Sequence, residues 1–355
     1  MIVAGGGTGG HLFPGLAVAE AVAAQGEPSI LFVGSAYGLE ATAIPRTRFA
    51  FRALALRGVR GRGLRGALGF AWHLPITLLQ SWRIVGAFQP TLVVGLGGYS
   101  SVPVALAAWL RRIPLVLLEQ NAHPGLANRL LARLARKVCT AYPESARFFP
   151  AGKTVHTGNP VRQLGCTRSP APDRFTIFAF GGSQGAHTIN RALVDAATTL
   201  ATHVPGLHII HQTGAADAAW VRQRYREMEA DAEVLEFVHD MSAAYGCADL
   251  VICRAGATTL AEVTALGKPA ILVPYPFAAD DHQRKNAEVL RGHGAAQLIL
   301  NTDLSGERLA ACVLDLVHDR ERLQAMAAAA KQLAVPEATE RVITVCRQLE
   351  AEGRK

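Results

Sequence analysis

The stretch Val3-Ala4-Gly5-Gly6-Gly7-Thr8-Gly9-Gly10-His11-Leu12-Phe13-Pro14-Gly15 decides the fold. A short apolar run, Met1 to Ala4, leads into six residues of which five are glycine, and helical spacing follows through Leu16, Ala17, Ala19, Glu20 and Val22. This is the pattern of strand, tight turn and helix. Glycines let backbone N–H groups approach a ligand closely, and the helix N-terminus adds the positive end of its dipole. The turn therefore suits an anionic or polyhydroxyl ligand, and His11 brings a titratable side chain to the helix mouth. A plain tight turn with a surface histidine beside it is the competing reading. Gly5, Gly7 and Gly10 satisfy G-x-G-x-x-G, a weak signal taken alone.

Working outward, the first half alternates apolar runs (Ile30–Gly34, Thr91–Leu96, Pro114–Leu118, Lys137–Ala141) with helical segments near 12–25, 67–87, 102–111 and 124–135. Such alternation implies a parallel sheet covered by helices on both faces. Gly158-Asn159-Pro160 and Ser169–Asp173 mark a boundary. The pattern then restarts with strand Phe175–Phe180, the turn Gly181-Gly182-Ser183-Gln184-Gly185-Ala186-His187 and a helix over Ile189–Leu200. Further strands are expected at His208–Gln212, Val234–Phe237, Leu250–Cys253, Ala270–Val273 and Ala296–Ile299. Helices are expected near 216–230, 258–266, 283–292, 305–317, 319–333 and 338–350. The chain reads as two doubly wound α/β domains in tandem, with a cleft between them as the default ligand site.

A length of 355 residues, half of them hydrophobic, fits two ordinary domains. No apolar run is long enough to span a bilayer, and no signal peptide is expected. Cys139, Cys166, Cys247, Cys253, Cys312 and Cys346 are scattered, which argues for free thiols over a disulfide or metal framework. The net charge of +8 is uneven: residues 1–157 carry 16 Lys/Arg against 5 Asp/Glu, residues 158–355 carry 20 against 23. Between Glu40 and Glu119 there are ten arginines and no acid. The first half thus faces something anionic, a membrane surface or nucleic acid. Residues 65–85 favour the membrane, since Phe70, Trp72, Ile76, Leu79 and Trp82 lie among Arg57, Arg60, Arg62, Arg65 and Arg83, and Trp109, Arg111 and Arg112 extend the set. The alternative puts these aromatics in the core. No nucleic-acid recognition motif is present.

A dinucleotide site requires an acid at the end of the second strand. That strand ends Val33-Gly34-Ser35, and Glu40 comes too late. A more specific set lies in the second half. Arg254-Ala255-Gly256-Ala257-Thr258-Thr259-Leu260-Ala261-Glu262 follows a strand and opens a helix, so its N–H groups and Thr hydroxyls can hold a diphosphate while Glu262 accepts from a ribose diol. Ser183 offers a second phosphate donor, and Arg162 a clamp on base or phosphate. The bland alternative makes Thr258 a helix cap and Glu262 a solvated acid.

Six motifs together resemble the MurG family, the bacterial transferases that move GlcNAc from UDP-GlcNAc to lipid I. They are Gly-Gly-Thr-Gly-Gly-His-x-x-Pro-Gly (6–15), Glu-Gln-Asn (119–121), Gly-Asn-Pro-Val-Arg (158–162), Gly-Gly-Ser-Gln-Gly-Ala (181–186), Arg-x-Gly-Ala-x-Thr-x-x-Glu (254–262) and Asp-Asp-His-Gln-x-x-Asn-Ala (280–287). The resemblance implies a GT-B fold of two Rossmann-like domains with parallel sheets facing a cleft. It implies an acceptor-binding, membrane-associating domain over 1–157 and a UDP-GlcNAc domain over 158–336, with the helix in 337–355 packing back on the first. By motif, Thr8, Gly9, Gly10 and Asn121 face the sugar. Arg162, Ser183 and Ala257, Thr258, Thr259, Leu260, Ala261 and Glu262 hold the nucleotide, the backbone of Val238 reads uracil, and Gln283 reads a GlcNAc hydroxyl. His282 stands where some members carry a second Gln.

The implied reaction inverts an α-linked donor to a β(1→4) product in one displacement, which needs a base near the acceptor 4-hydroxyl. His11 is the candidate, kept neutral by the helix terminus behind it. Glu119 either holds a loop or assists that base. His123, His187 and His239 read as turn or surface residues. No Asp-x-Asp pair points to a protein-bound metal, and no cofactor is expected. Expected partners are UDP-GlcNAc, lipid I and the anionic cytoplasmic face of the plasma (inner) membrane, without nucleic acid. Alternatives are another UDP-sugar transferase acting on a lipid acceptor, or a UDP-GlcNAc 2-epimerase.

Overall fold

Short runs of Val, Ile, Leu and Phe, buried on both faces, pair into two all-parallel sheets, as strands flanked by helices on either side must. The computed structural model describes residues 1–26, 29–56, 63–161 and 173–353, with the backbone alone over 63–72. The chain divides into two units, Met1–Arg162 with Val335–Lys355, and Gln163–Ala334.

In the first unit the strands are β1 (Ile2–Ala4), β2 (Leu31–Ser35), β3 (Ala50–Leu54), β4 (Val93–Gly95), β5 (Leu115–Glu119), β6 (Lys137–Thr140) and β7 (Thr154–His156). They lie in the order β3-β2-β1-β4-β5-β6-β7, with Ile2 opposite both Leu31 and Val93. The helices are α1 (Gly9–Ala24), α2 (Glu40–Ala43), α3 (Gly63–Phe88), α4 (Val102–Leu110) and α5 (Leu126–Leu131).

The second unit repeats the order as β10-β9-β8-β11-β12-β13. Its strands are β8 (Phe175–Phe180), β9 (Leu207–Gln212), β10 (Ala232–Leu235), β11 (Leu250–Cys253), β12 (Ala270–Leu272) and β13 (Ala296–Leu298). Its helices are α6 (His187–His203), α7 (Ala218–Glu227), α8 (Met241–Cys247), α9 (Ala257–Ala265), α10 (His282–Gly292), α11 (Gly306–His318) and α12 (Arg320–Gln332). The last helix, α13 (Ala338–Gly353), belongs to the first unit: Val342, Ile343, Val345, Cys346 and Leu349 join the core beneath α1.

Three departures from the sequence reading have local causes. The expected helix over 124–135 shrinks to α5, because Lys153 Nζ takes the carbonyls of Ala132, Arg133 and Ala135 at 3.2, 2.7 and 2.8 Å and Arg136 N bonds back to Leu115 in the sheet. β3 and β7 escape an apolar-run reading because they are edge strands with exposed or half-exposed side chains. α8 is set by Asp240, whose carboxylate caps Ala243 N at 3.0 Å.

In each unit the strand order reverses beside the first strand, between β1 and β4 and between β8 and β11. Both glycine-rich turns therefore open at a topological switch point, where doubly wound sheets bind ligands outside the carboxyl ends of their strands.

Candidate active site

In the first unit the helix begins earlier than the spacing suggests, so Gly9, Gly10 and His11 form the first turn of α1 and Thr8 stands at its N-cap. Thr8 does not cap with its side chain. Its Oγ1 lies 2.9 Å from His11 Nδ1 instead. The half-buried His11 ring packs toward Gly97, in the Gly95-Leu96-Gly97-Gly98 turn that closes the other side of the switch point.

Asn121 reaches the same end of the sheet from the loop after β5, and its Nδ2 turns inward to Glu119 Oε1 at 3.1 Å. Glu119 accepts as well from Asn121 N at 3.0 Å, Gly125 N at 3.3 Å and Asn128 Nδ2 at 2.9 Å. Burial pushes its carboxyl up to about 6, and these donors pull the other way. Of the two roles the sequence leaves open, the geometry is that of a loop holder.

Glu40 proves to be a residue whose importance the sequence conceals. It starts α2, yet its buried carboxylate reaches back to Ser35 N at 2.8 Å and Gly7 N at 2.6 Å. The acid that comes too late for a ribose is already engaged by the turn itself.

In the second unit Ser183 is exposed on the turn between β8 and α6. That turn is pressed onto the end of β9: a Cβ on Gly185, where φ is +74°, would lie 1.8 Å from Thr213 O. Behind it runs a buried polar chain that sequence reading missed. Asn190 Nδ2 donates to Thr213 O at 2.9 Å and Asp217 Oδ2 at 2.7 Å, so its Oδ1 accepts from His211 Nε2 at 3.1 Å. His211 Nδ1 then accepts from Tyr225 OH at 2.9 Å. Burial drives His211 down to about 3, so it stays neutral. His187 is exposed and pairs with Asp217 at 3.0 Å, and His239 is exposed beside Phe237, both as surface residues. His123 sits half-buried with its ring edge on Phe148.

Ala257, Thr258, Thr259, Leu260, Ala261 and Glu262 form the start of α9, and both bland alternatives for them fail. The N-cap is Gly256, which has no capping side chain, while Thr258 is inside the helix with a buried Oγ1 that has no hydrogen-bond partner. Glu262 is 6 % exposed rather than solvated, and Tyr245 OH donates to its Oε2 at 3.1 Å. Arg254 braces the region, donating to Val273 O, Pro274 O and Asn301 Oδ1 at 3.1, 3.1 and 2.9 Å and to Thr188 Oγ1 at 2.9 Å.

Gln283 Oε1 accepts from Tyr275 N at 2.8 Å. The Val238 side chain is buried in the loop after β10. Ser183, Val238, α9 and Gln283 thus share the carboxyl end of one sheet. Arg162 lies outside the described residues. Among the described residues no group of three or more acidic, His or Cys side chains could hold a metal ion.

A surface patch lies apart from these turns. Ile76, Leu79 and Trp82 on α3 are 54, 50 and 37 % exposed, and Trp109 and Leu110 on α4 are each 49 % exposed. The two helices pack together, and the Arg111 guanidinium lies 4.0 Å over the Trp82 ring. Trp82 and Trp109 are therefore not core residues. Arg57, Arg60, Arg62 and the side chains of Arg65, Phe70 and Trp72 lie outside the described residues. Among the described residues no helix is long and apolar enough to cross a membrane.

Two parallel doubly wound units, each with a glycine-rich turn at its switch point, make a GT-B fold. Family models agree: the glycosyltransferase family 28 N-terminal domain matches residues 1–140 and its C-terminal domain residues 176–342. The UDP-N-acetylglucosamine–N-acetylmuramyl-(pentapeptide) pyrophosphoryl-undecaprenol N-acetylglucosamine transferase of Anaeromyxobacter sp. (strain K) is 47 % identical over 354 residues, 98 % of this chain and 92 % of that protein. The crystal structure of Acinetobacter baumannii MurG superposes with a TM-score of 0.81 at 33 % identity, covering 98 % of each chain. The chain belongs to the MurG family. A UDP-GlcNAc 2-epimerase from Neisseria meningitidis also matches, with a TM-score of 0.69 over 98 % of this chain and 99 % of that one, but at 11 % identity it shares the fold alone.

Proposed function

We propose that this enzyme transfers GlcNAc from UDP-GlcNAc to the 4-hydroxyl of the MurNAc residue in lipid I, forming lipid II with inversion. The observation that carries the reading is the first turn of α9. It has no side-chain cap, Thr258 Oγ1 is buried without a partner, and Glu262 is held by Tyr245 one turn further on. This is the complement of a nucleoside diphosphate: N–H groups and a hydroxyl for phosphate, a fixed carboxylate for a ribose diol. It occurs in a chain whose 47 % identical relative is named for this transfer.

In this reading the second unit holds the donor, through Ser183, Arg162, residues 257–262, the Val238 backbone and Gln283. The first unit supplies the acceptor side, with Thr8, Gly9, Gly10 and Asn121 near the sugar and His11 as base. With the proton of the neutral imidazole on Nδ1, Thr8 Oγ1 accepts it and Nε2 keeps its lone pair. Nε2 takes the proton of the 4-hydroxyl as that oxygen attacks the anomeric carbon. The bond from that carbon to the diphosphate breaks, its electrons leaving with UDP. Helix N-termini and Ser183 stabilise the departing charge, and no protein-bound metal or other cofactor is assigned a part. Base catalysis of this kind contributes about 10²–10⁴-fold.

Epimerisation is disfavoured by identity: the epimerase shares 11 % of its residues with this chain, the Anaeromyxobacter transferase 47 %. The α3–α4 patch supports attachment to the anionic cytoplasmic face of the plasma membrane, with apolar side chains in the interface and arginines on headgroups. The test is transfer of labelled GlcNAc from UDP-GlcNAc to a lipid I analogue by wild type and His11→Ala. A loss of about two orders of magnitude or more supports reaction and base together. UDP-GlcNAc binding without transfer by wild type overturns the acceptor.

A further inference from the structure

Both units begin with a strand, a glycine turn and a helix, yet among the described residues only the first seats an acid under the turn. Glu40 is 1 % exposed, and both of its oxygens accept backbone N–H groups, from Gly7 at 2.6 Å and Ser35 at 2.8 Å. Three glycines make room for it: a Cβ on Gly6, Gly34 or Gly38 would come within 2.7, 2.6 or 2.2 Å of its carboxyl group or stem. In the second unit the turn Gly181–Ala186 is held through the Gly182 carbonyl, by Gly185 N and Gln212 Nε2 at 2.8 Å each, and no acidic side chain bonds to it among the described residues.

The first turn needs such a partner. Gly5, Gly6 and Gly7 have φ of +115°, +146° and +84°, three successive residues in a region that glycine enters freely and leaves as freely. Fixing them costs conformational entropy, and a charge-assisted hydrogen bond at Gly7 offsets part of that cost. The next residue is Thr8, which holds His11.

We propose that Glu40 is a built-in ligand of the first glycine turn, occupying the N–H that an anionic ligand would take and so fixing the backbone that presents His11. Glu40 is thereby a positioning residue for the base. The proposal rests on the reading of His11 as base.

The test compares Glu40→Gln, Glu40→Ala, His11→Ala and the double variant H11A/E40Q in the transfer assay, with UDP binding and thermal unfolding as checks on folding. Glu40→Gln keeps the shape but can accept only one of the two N–H bonds. It lowers kcat about tenfold or more, the order expected for losing a hydrogen bond to a charged group, with UDP affinity and donor KM within about twofold. On the His11→Ala background the same change costs nothing further, since the residue it positions is gone. Added formate restores part of the kcat of Glu40→Ala by refilling the carboxylate's place. Wild-type kcat in Glu40→Gln, or losses that multiply in the double variant, overturns the proposal. A His11→Ala enzyme with wild-type kcat sinks the base assignment, and that is read separately from the formate rescue.

Discussion

Thr8 Oγ1 lies 2.9 Å from His11 Nδ1, so the hydroxyl that would ordinarily cap α1 instead orients the imidazole. With His11 as the proposed base, the contact sets which nitrogen faces the acceptor. Thr8→Val removes the hydroxyl at constant shape and is expected to lower kcat about tenfold with donor KM nearly unchanged, while Thr8→Ser retains most activity. Steady-state kinetics with both substrates varied checks this. A Thr8→Val enzyme with normal kcat would show that His11 is oriented by other means.

Tyr245 anchors Glu262 from beneath. Tyr245→Phe leaves the ring packed on Phe178 and Phe180 but removes the bond to Glu262 Oε2. We expect donor KM to rise about tenfold, corresponding to about 1.4 kcal/mol, with kcat less affected, because a ribose contact is made equally in ground and transition states. Equilibrium binding of UDP to the two proteins measures the effect directly. Equal affinities would remove Glu262 from the nucleotide site.

Glu119 makes stability fall as pH rises. Its carboxyl stands near 6 in the folded chain against an ordinary 4.5, so between those values the native state binds more protons than the unfolded one. The cost of burying the charge is absent below pH 4.5 and complete above pH 6. Its size is about 2 kcal/mol at about 1.4 kcal/mol per unit. The difference in urea stability between wild type and Glu119→Gln, measured from pH 4.5 to 7, should shift against wild type by that amount. A pH-independent difference would contradict the assignment.

Membrane attachment through α3 and α4 predicts a separation of binding from chemistry. Leu79→Glu with Trp109→Glu should weaken sedimentation with anionic vesicles about tenfold or more, while transfer to a water-soluble acceptor analogue is unchanged. Raising salt should weaken the wild-type interaction too, through the arginines. Undiminished vesicle binding would move the contact elsewhere.

The architecture is legible in the order of residues alone. Alternating apolar runs, two glycine turns and the helices that follow them are local signals, because glycine's freedom and a strand's or helix's period act over a few residues. Those signals suffice to put the two turns, His11, Ser183 and the 254–262 segment at strand ends. What holds these residues in place is settled only by the folded chain. Glu40 meets Gly7 across 33 residues, Tyr245 meets Glu262 across 17, Asn190 meets His211 across 21, and Arg254 meets Asn301 across 47. Such partners are chosen by strand order, which brings distant loops to one edge of a sheet, and by burial, which leaves each polar group few ways to be satisfied. The same holds for α9. A threonine two residues past a glycine reads equally as cap or ligand, and only the backbone at Gly256 shows that the helix has already begun.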